Sequence, residues 1–173
     1  MLYWGMKMTM VREDLWMRRQ MITIKDGIDH IPQVKELIIE YTKRLNRDLS
    51  FQNIEEELED PAVKYTAPEG ELLVAVDEAD TVLGMVAYHR HSFERCEMKR
   101  LYIKPEMRGM HVGDLLVEEI VEHARQAGYK EMVLDTIVPL RAAIGLYKKH
   151  GFQECEPYYD NPMDDVIYMK RGL

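Results

Sequence analysis

CEMKRLYIKPEMRGMHVGDLLVEEIVEHARQA, running from Cys96 to Ala127, reads as a strand, a tight turn and an amphipathic helix. The strand is Cys96 to Ile103. Pro105 ends it, because proline has no N–H to give to a ladder. The turn is Arg108-Gly109-Met110-His111-Val112-Gly113. In the helix, Val112, Leu116, Ile120 and Ala124 recur four residues apart on one face, and Gly128 suits its end.

A glycine-containing turn that opens a helix has a chemical use. The first N–H groups of a helix have no intrahelical acceptor, and the helix dipole is positive there, so the end receives phosphate or pyrophosphate. Gly109 and Gly113 let the backbone come close to such a group, and Arg108 adds a fixed charge. The plainer alternative is a strand turning into a surface helix. The chain has no G-x-x-x-x-G-K-[ST], which argues against a P-loop. It also lacks a G-x-G-x-x-G with an acidic residue after the next strand, which argues against a dinucleotide fold.

Outward from this stretch, alternation and helical stripes give the remaining elements. Met21–Lys25 is a strand. Pro32 opens a helix striped by Val34, Leu37, Ile38, Tyr41 and Leu45. Phe51–Asp60 is a second, acidic helix. Its glutamates read as a solvated face, with a site for a cationic substrate as the alternative. Pro61 to Gly70 reads as a loop. Glu71–Val76 and Thr81–His89 pair as a hairpin across a short turn. Lys130–Thr136 is a strand that returns parallel to the central one. A helix from Pro139 to Gly151, a strand Phe152–Glu156, the loop Pro157–Pro162 and a last strand Asp165–Lys170 complete the chain. The order β-α-α-β-β-β-α-β-α-β-β predicts an α/β fold, a mixed sheet with helices on both faces.

The 173 residues suit one domain, taken as 21–173, preceded by an N-terminal extension, 1–20. That extension holds Trp4 and Trp16. It has no apolar core of a secretory signal, and an amphipathic packing helix is its alternative. A net charge of −8 argues against a general nucleic-acid binder. No run approaches the length of a membrane span, so no membrane partner and a cytoplasmic location are expected. Cys96 and Cys155 make no disulfide framework or zinc spacing and are expected to be reduced and buried. His89 and His91 lack further ligand-spaced partners, so no metal is expected. His123 and His150 read as helix-surface residues.

Two segments together resemble the GNAT N-acetyltransferase superfamily. One is R-x-x-(G)-x-G after a strand reading E-x-x-R-L-Y-I-x-P. The other is Ala142-Ala143-Ile144-Gly145-Leu146-Tyr147-Lys148-Lys149-His150-Gly151-Phe152, which is similar to A-x-x-L-Y-x-x-x-G-F. One departure is His111, where the family pattern has glycine. The resemblance spans about Met21 to Gly172. It implies a sheet whose fourth and fifth strands splay around the thioester arm of acetyl-coenzyme A. It also implies acetyl transfer to an amine in a ternary complex.

In that setting the resemblance gives Leu101, Tyr102 and Ile103 to the pantetheine arm. Arg108, Gly109, Met110, His111, Val112, Gly113 and Asp114 go to the pyrophosphate, largely through N–H groups. Glu97 is the expected base, with ion pairing to Lys99 or Arg100 as its alternative. Tyr147 is the expected acid for the leaving thiolate, with a core tyrosine as its alternative. An acyl-cysteine route through Cys96 is disfavoured, because nothing activates the thiol.

For the acceptor, Arg100 is expected to clamp a carboxylate and Asp160 to pair with an amine. Tyr88, Tyr158, Tyr159 and Asn161 are expected nearby. The expected partner is a small-molecule amine, amino-acid-like in character. A peptide acceptor and a non-catalytic acyl-CoA sensor are the alternatives. A homodimer is an open expectation.

Overall fold

The structure, a computed structural model, describes residues 21–173. The reading of 1–20 lies outside them. Seven strands form one sheet: β1 (Thr23–Asp26), β2 (Gly70–Val76), β3 (Val82–Arg90), β4 (Arg95–Ile103), β5 (Glu131–Ile137), β6 (Gln153–Glu154) and β7 (Val166–Gly172). Their order across the sheet is β1-β2-β3-β4-β5-β7-β6. All neighbours are antiparallel except β4 and β5, which run parallel across the α4 crossover. The helices are α1 (Ile31–Leu45), α2 (Ile54–Glu59), α3 (Pro61–Lys64), α4 (Val112–Gln126) and α5 (Arg141–Lys149). The expected mixed sheet flanked by helices is the fold. The short helix α3 lies where a loop was expected, with Pro61 in its first turn and the Asp60 side chain accepting from Ala62 N–H.

Each face of the sheet has its own core. On one, Val34, Leu37 and Ile38 of α1 pack against Leu72, Val74, Met85, Ala87 and Tyr102. On the other, the stripe of α4 packs against Leu73, Val86, Cys96, Met98, Met132 and Leu134. This double cover explains the near-continuous burial of β2 and β3.

Two irregularities of β4 position the site. The first is a bulge. Met85 pairs with Tyr102 and Ala87 with Lys99, so β4 carries one extra residue there. Arg100 occupies the bulge at φ +58°. The extra residue inverts the alternation. Cys96 and Met98 face the α4 core, and beyond the bulge Leu101 and Ile103 do. The second irregularity is a parting of strands. β4 and β5 pair only at Arg95–Glu131, Cys96–Met132 and Glu97–Val133. β5 continues to Ile137 along β7, so beyond Glu97 the β5-side edge of β4 is open.

Candidate active site

A groove of about 700 Å³ begins where the strands part. Its floor is Leu101, Tyr102 and Ile103. One end is the Arg108–Asp114 turn, and its wall includes Tyr41, Leu140, Ala143 and Leu146. Gly109 has φ +79° and His111 has φ +60°. The first α4 hydrogen bond runs from Leu115 N–H to His111 C=O at 3.2 Å, which leaves the N–H groups of Val112, Gly113 and Asp114 without intrahelical acceptors. A Cβ on Gly113 would lie 2.9 Å from Leu146 Cδ2 and 3.3 Å from Ile103 Cδ1, so a side chain there would have to displace the ends of Leu146 and Ile103 for the helix start to sit this close to α5 and β4. Arg44, Arg108 and Arg141 stand exposed on the rim. The turn is therefore built to receive an anion.

Asp114 contributes differently from expectation. Its carboxylate takes Lys149 Nζ at 2.5 Å, His150 Nε2 at 2.9 Å and His111 Nδ1 at 3.0 Å. Burial alone would raise its pKa, but these donors hold it well below the usual carboxylate range. The side chain pins the end of α5 to the start of α4. His150, expected on a helix surface, is largely buried in this pair.

His111 bears a left-handed backbone that costs a non-glycine residue about 1 kcal/mol. Its ion pair with Asp114 is half-exposed and offsets under about 1 kcal/mol. We expect His111→Gly to raise the melting temperature by about 2 °C, read by calorimetry. Coenzyme A affinity should stay equal or improve. A loss above about tenfold, or 1.4 kcal/mol, would make the imidazole itself a ligand.

An inner cavity of about 70 Å³ lies between the parted strands. Its walls are Met98, Lys99, Arg100 and Leu101 of β4, Leu134, Asp135 and Thr136 of β5, and Tyr147 of α5. Tyr41, Leu101 and Ala143 border both spaces, so the groove and the cavity adjoin. Leu49, Gln52 and Met163 also line it. Arg47 Nη2 to Asp165 Oδ2, 2.8 Å, joins the segments that carry them. Tyr147 is buried, with its ring edge-on to Phe152 at 6.0 Å. Burial raises its phenol above the ordinary value, so it keeps its proton.

The other expected residues divide. Glu97 is buried behind the cavity. It accepts from His89 Nε2 and Tyr158 OH, each at 2.8 Å, and pairs with Lys99 Nζ at 3.0 Å. Burial pushes its pKa up, but the His89 hydrogen bond, the Lys99 ammonium and Tyr158 outweigh it and bring it down to about 2. A carboxylate held so firmly is a poor proton acceptor, so this geometry fits its ion-paired alternative better than the base.

Arg100 does not offer itself to a substrate carboxylate. Its Nε and Nη2 bind Glu57 Oε1 and Oε2 at 2.6 and 2.9 Å, and its Nη1 donates to Gln52 at 3.0 Å. Glu57 is correspondingly buried, not part of a solvated acidic face. Tyr88 lies in the core under α4, edge-on to Tyr129 at 5.6 Å, away from the cavity. Tyr159 OH and Asn161 Nδ2 both donate to Asp135 Oδ2, at 2.8 and 3.0 Å, while Asp160 is exposed. Cys96 is buried and its thiol is pushed up to about 12, which removes the acyl-cysteine route. Cys155 is only half-buried. His89 is committed to Glu97, and His91 packs on Tyr158 at 5.2 Å. Among the described residues no metal-ligand cluster of three or more forms, and no helix is long and apolar enough to cross a membrane.

Lys99 and Asp135 carry no sequence motif. Each lies two residues beyond the last β4–β5 pair, Glu97–Val133.

The profile of the Acetyltransferase (GNAT) family matches residues 33–152. An uncharacterised N-acetyltransferase of Schizosaccharomyces pombe is 49% identical over 137 residues, covering 79% of this chain and 84% of its own. One from Dictyostelium discoideum is 30% identical over 214 residues, covering 88% and 99%. The crystal structure of an acetyltransferase of the GNAT family from Staphylococcus aureus Mu50 superposes with a TM-score of 0.74 at 18% identity, over 87% of this chain and 98% of that one. That of PaiA N-acetyltransferase from Thermoplasma acidophilum in complex with coenzyme A gives 0.67 at 17% identity, over 88% and 99%.

Proposed function

This chain belongs to the acetyltransferase (GNAT) family, and from that premise we propose that it moves the acetyl group of acetyl-coenzyme A directly to the primary amine of a small molecule. The observation that carries the small-molecule reading is the inner cavity. It is only about 70 Å³, lined in part by Leu49, Gln52 and Met163, whose segments the Arg47–Asp165 pair joins. A space of that size takes a small amine, whereas a lysine on a protein surface needs an open trough.

The outer groove fits the donor. Its volume of about 700 Å³ lies in the range of ligand sites. The N–H groups of Val112, Gly113 and Asp114 would hold the pyrophosphate, and the open β4 edge at Leu101–Ile103 would take the pantetheine arm. When bound, acetyl-coenzyme A supplies an electrophilic thioester carbonyl. Tyr147 holds a proton for the departing sulfur. Asp135 is the carboxylate in the cavity wall that would attract the incoming amine; the nitrogen attacks after its ammonium has lost one proton to solvent, and the second proton, lost as the amide forms, replaces the one that Tyr147 gives to the sulfur. Glu97 acts one step back, orienting Lys99 and Tyr158.

The test is release of free thiol from acetyl-coenzyme A across a panel of small amines and lysine peptides, with products identified by mass spectrometry. We expect release with a class of small amines and only background with peptides. Faster turnover of peptides would overturn the small-molecule reading.

A further inference from the structure

Lys99 stands where the sheet opens. The parallel ladder ends at Glu97–Val133, and in the same register the next pair on that face would be Lys99 and Asp135. Their backbones carry no ladder there. The side chains bridge instead, Nζ to Oδ1 at 3.3 Å. The same ammonium reaches Glu97 Oε1 at 3.0 Å and lies 6.0 Å from the centre of the Tyr159 ring. All three charged side chains are nearly buried, at 11% exposure for Lys99, 7% for Glu97 and 8% for Asp135.

Both carboxylates also hold the loop that follows β6. Tyr158 donates to Glu97, and Tyr159 and Asn161 donate to Asp135. Among the described residues, Lys99 is thus the one cation in contact with both anchors. Without it, two carboxylates would share a buried space with His89, Asn161 and the tyrosine hydroxyls as their remaining partners.

We propose that Lys99 is a positioning residue, a charged strut that sets the span between β4 and β5 at the cavity and fixes the Tyr158–Asn161 loop through Glu97 and Asp135. The proposal rests on reading that cavity as the acyl site. A methionine at 99 fills similar length without charge, and an arginine restores charge. Lys99→Met should lower kcat by about 30-fold or more, with the KM for acetyl-coenzyme A and coenzyme A affinity within about threefold. Lys99→Arg should recover a large part.

Amide exchange distinguishes the strut from a substrate contact. In Lys99→Met, amides of residues 133–137 and 157–162 should exchange about tenfold faster, while β1 to β3 stay as in the parent. Unchanged exchange in Lys99→Met overturns the strut whatever the activity. A fall in kcat with unchanged exchange assigns Lys99 to the substrate instead. If the parent chain turns over no amine, the proposed function fails, but the exchange comparison still decides the strut.

Discussion

Tyr147→Phe is expected to lower kcat by about 100-fold, or about 2.7 kcal/mol in the barrier, while the KM for acetyl-coenzyme A stays within about threefold. The phenol lies in the wall of the inner cavity, beside the open edge of β4. Loss of the hydroxyl removes a proton donor and leaves the ring in place against Phe152, so packing is conserved. Steady-state thiol release over a range of acetyl-coenzyme A concentrations separates the two constants. A donor whose thiol is more acidic needs the proton less, so the deficit should narrow with it. Because burial raises the phenol above its ordinary value, the parent should show no loss of kcat from Tyr147 ionisation up to pH 10. A Tyr147→Phe kcat within threefold of the parent would leave Tyr147 as a core residue.

The largest effect on stability should come from Glu57→Ala. Glu57 and Arg100 form a bidentate pair with side-chain exposures of 1% and 2%. Removing one partner leaves a buried guanidinium without its counter-charge, a loss of about 3–5 kcal/mol. For a chain of this size that is on the order of 10 °C in melting temperature, read by calorimetry. The pair also ties α2 to the β4 bulge, where Arg100 holds φ +58°. Replacing both partners by apolar residues, Glu57→Leu with Arg100→Met, should recover most of the stability, because no charge is then stranded. Burial would raise the Glu57 pKa, but the Arg100 hydrogen bonds outweigh it and the folded value lies below 4.5. A carboxyl whose folded pKa is depressed stabilises above its unfolded pKa and loses that contribution as pH falls through the folded one. The parent should therefore lose stability below about pH 4.5 more steeply than Glu57→Ala. A melting temperature within 2 °C of the parent would show that the pair is not what holds α2 to the bulge.

Much of this was legible in the sequence, and for physical reasons. The four-residue stripe of α4, Pro105, and the glycines of the turn each act locally, so strand, turn and helix followed from their order. The positive φ at His111 was legible as a condition, because the position stood where a glycine resembled the pattern. The bulge was not legible. Nothing about an arginine announces a left-handed backbone. Arg100 is held there by Glu57, 43 residues earlier in the chain. The same distance hid the fate of the acidic run. Glu55 and Glu56 are exposed as a charged run suggests, but Glu57 turns inward to its partner. Tyr88 reads as a site residue from its chemistry, yet strand alternation places it on the α4 side. Lys99 and Asp135 meet because the β4–β5 register puts them opposite one another two residues beyond the last ladder pair, a fact of register between distant segments.

Calorimetric titration of the chain with acetyl-coenzyme A, beside a Gly113→Val variant, tests the central claim most directly. A valine there would press on Leu146 and Ile103 and push the helix start away from the groove. We expect one site of low micromolar affinity in the parent, no comparable binding of ATP, and a loss of about tenfold or more in Gly113→Val. No binding of acetyl-coenzyme A to the parent, or equal binding to the folded variant, would contradict the assignment of the Arg108–Asp114 turn and the groove it opens.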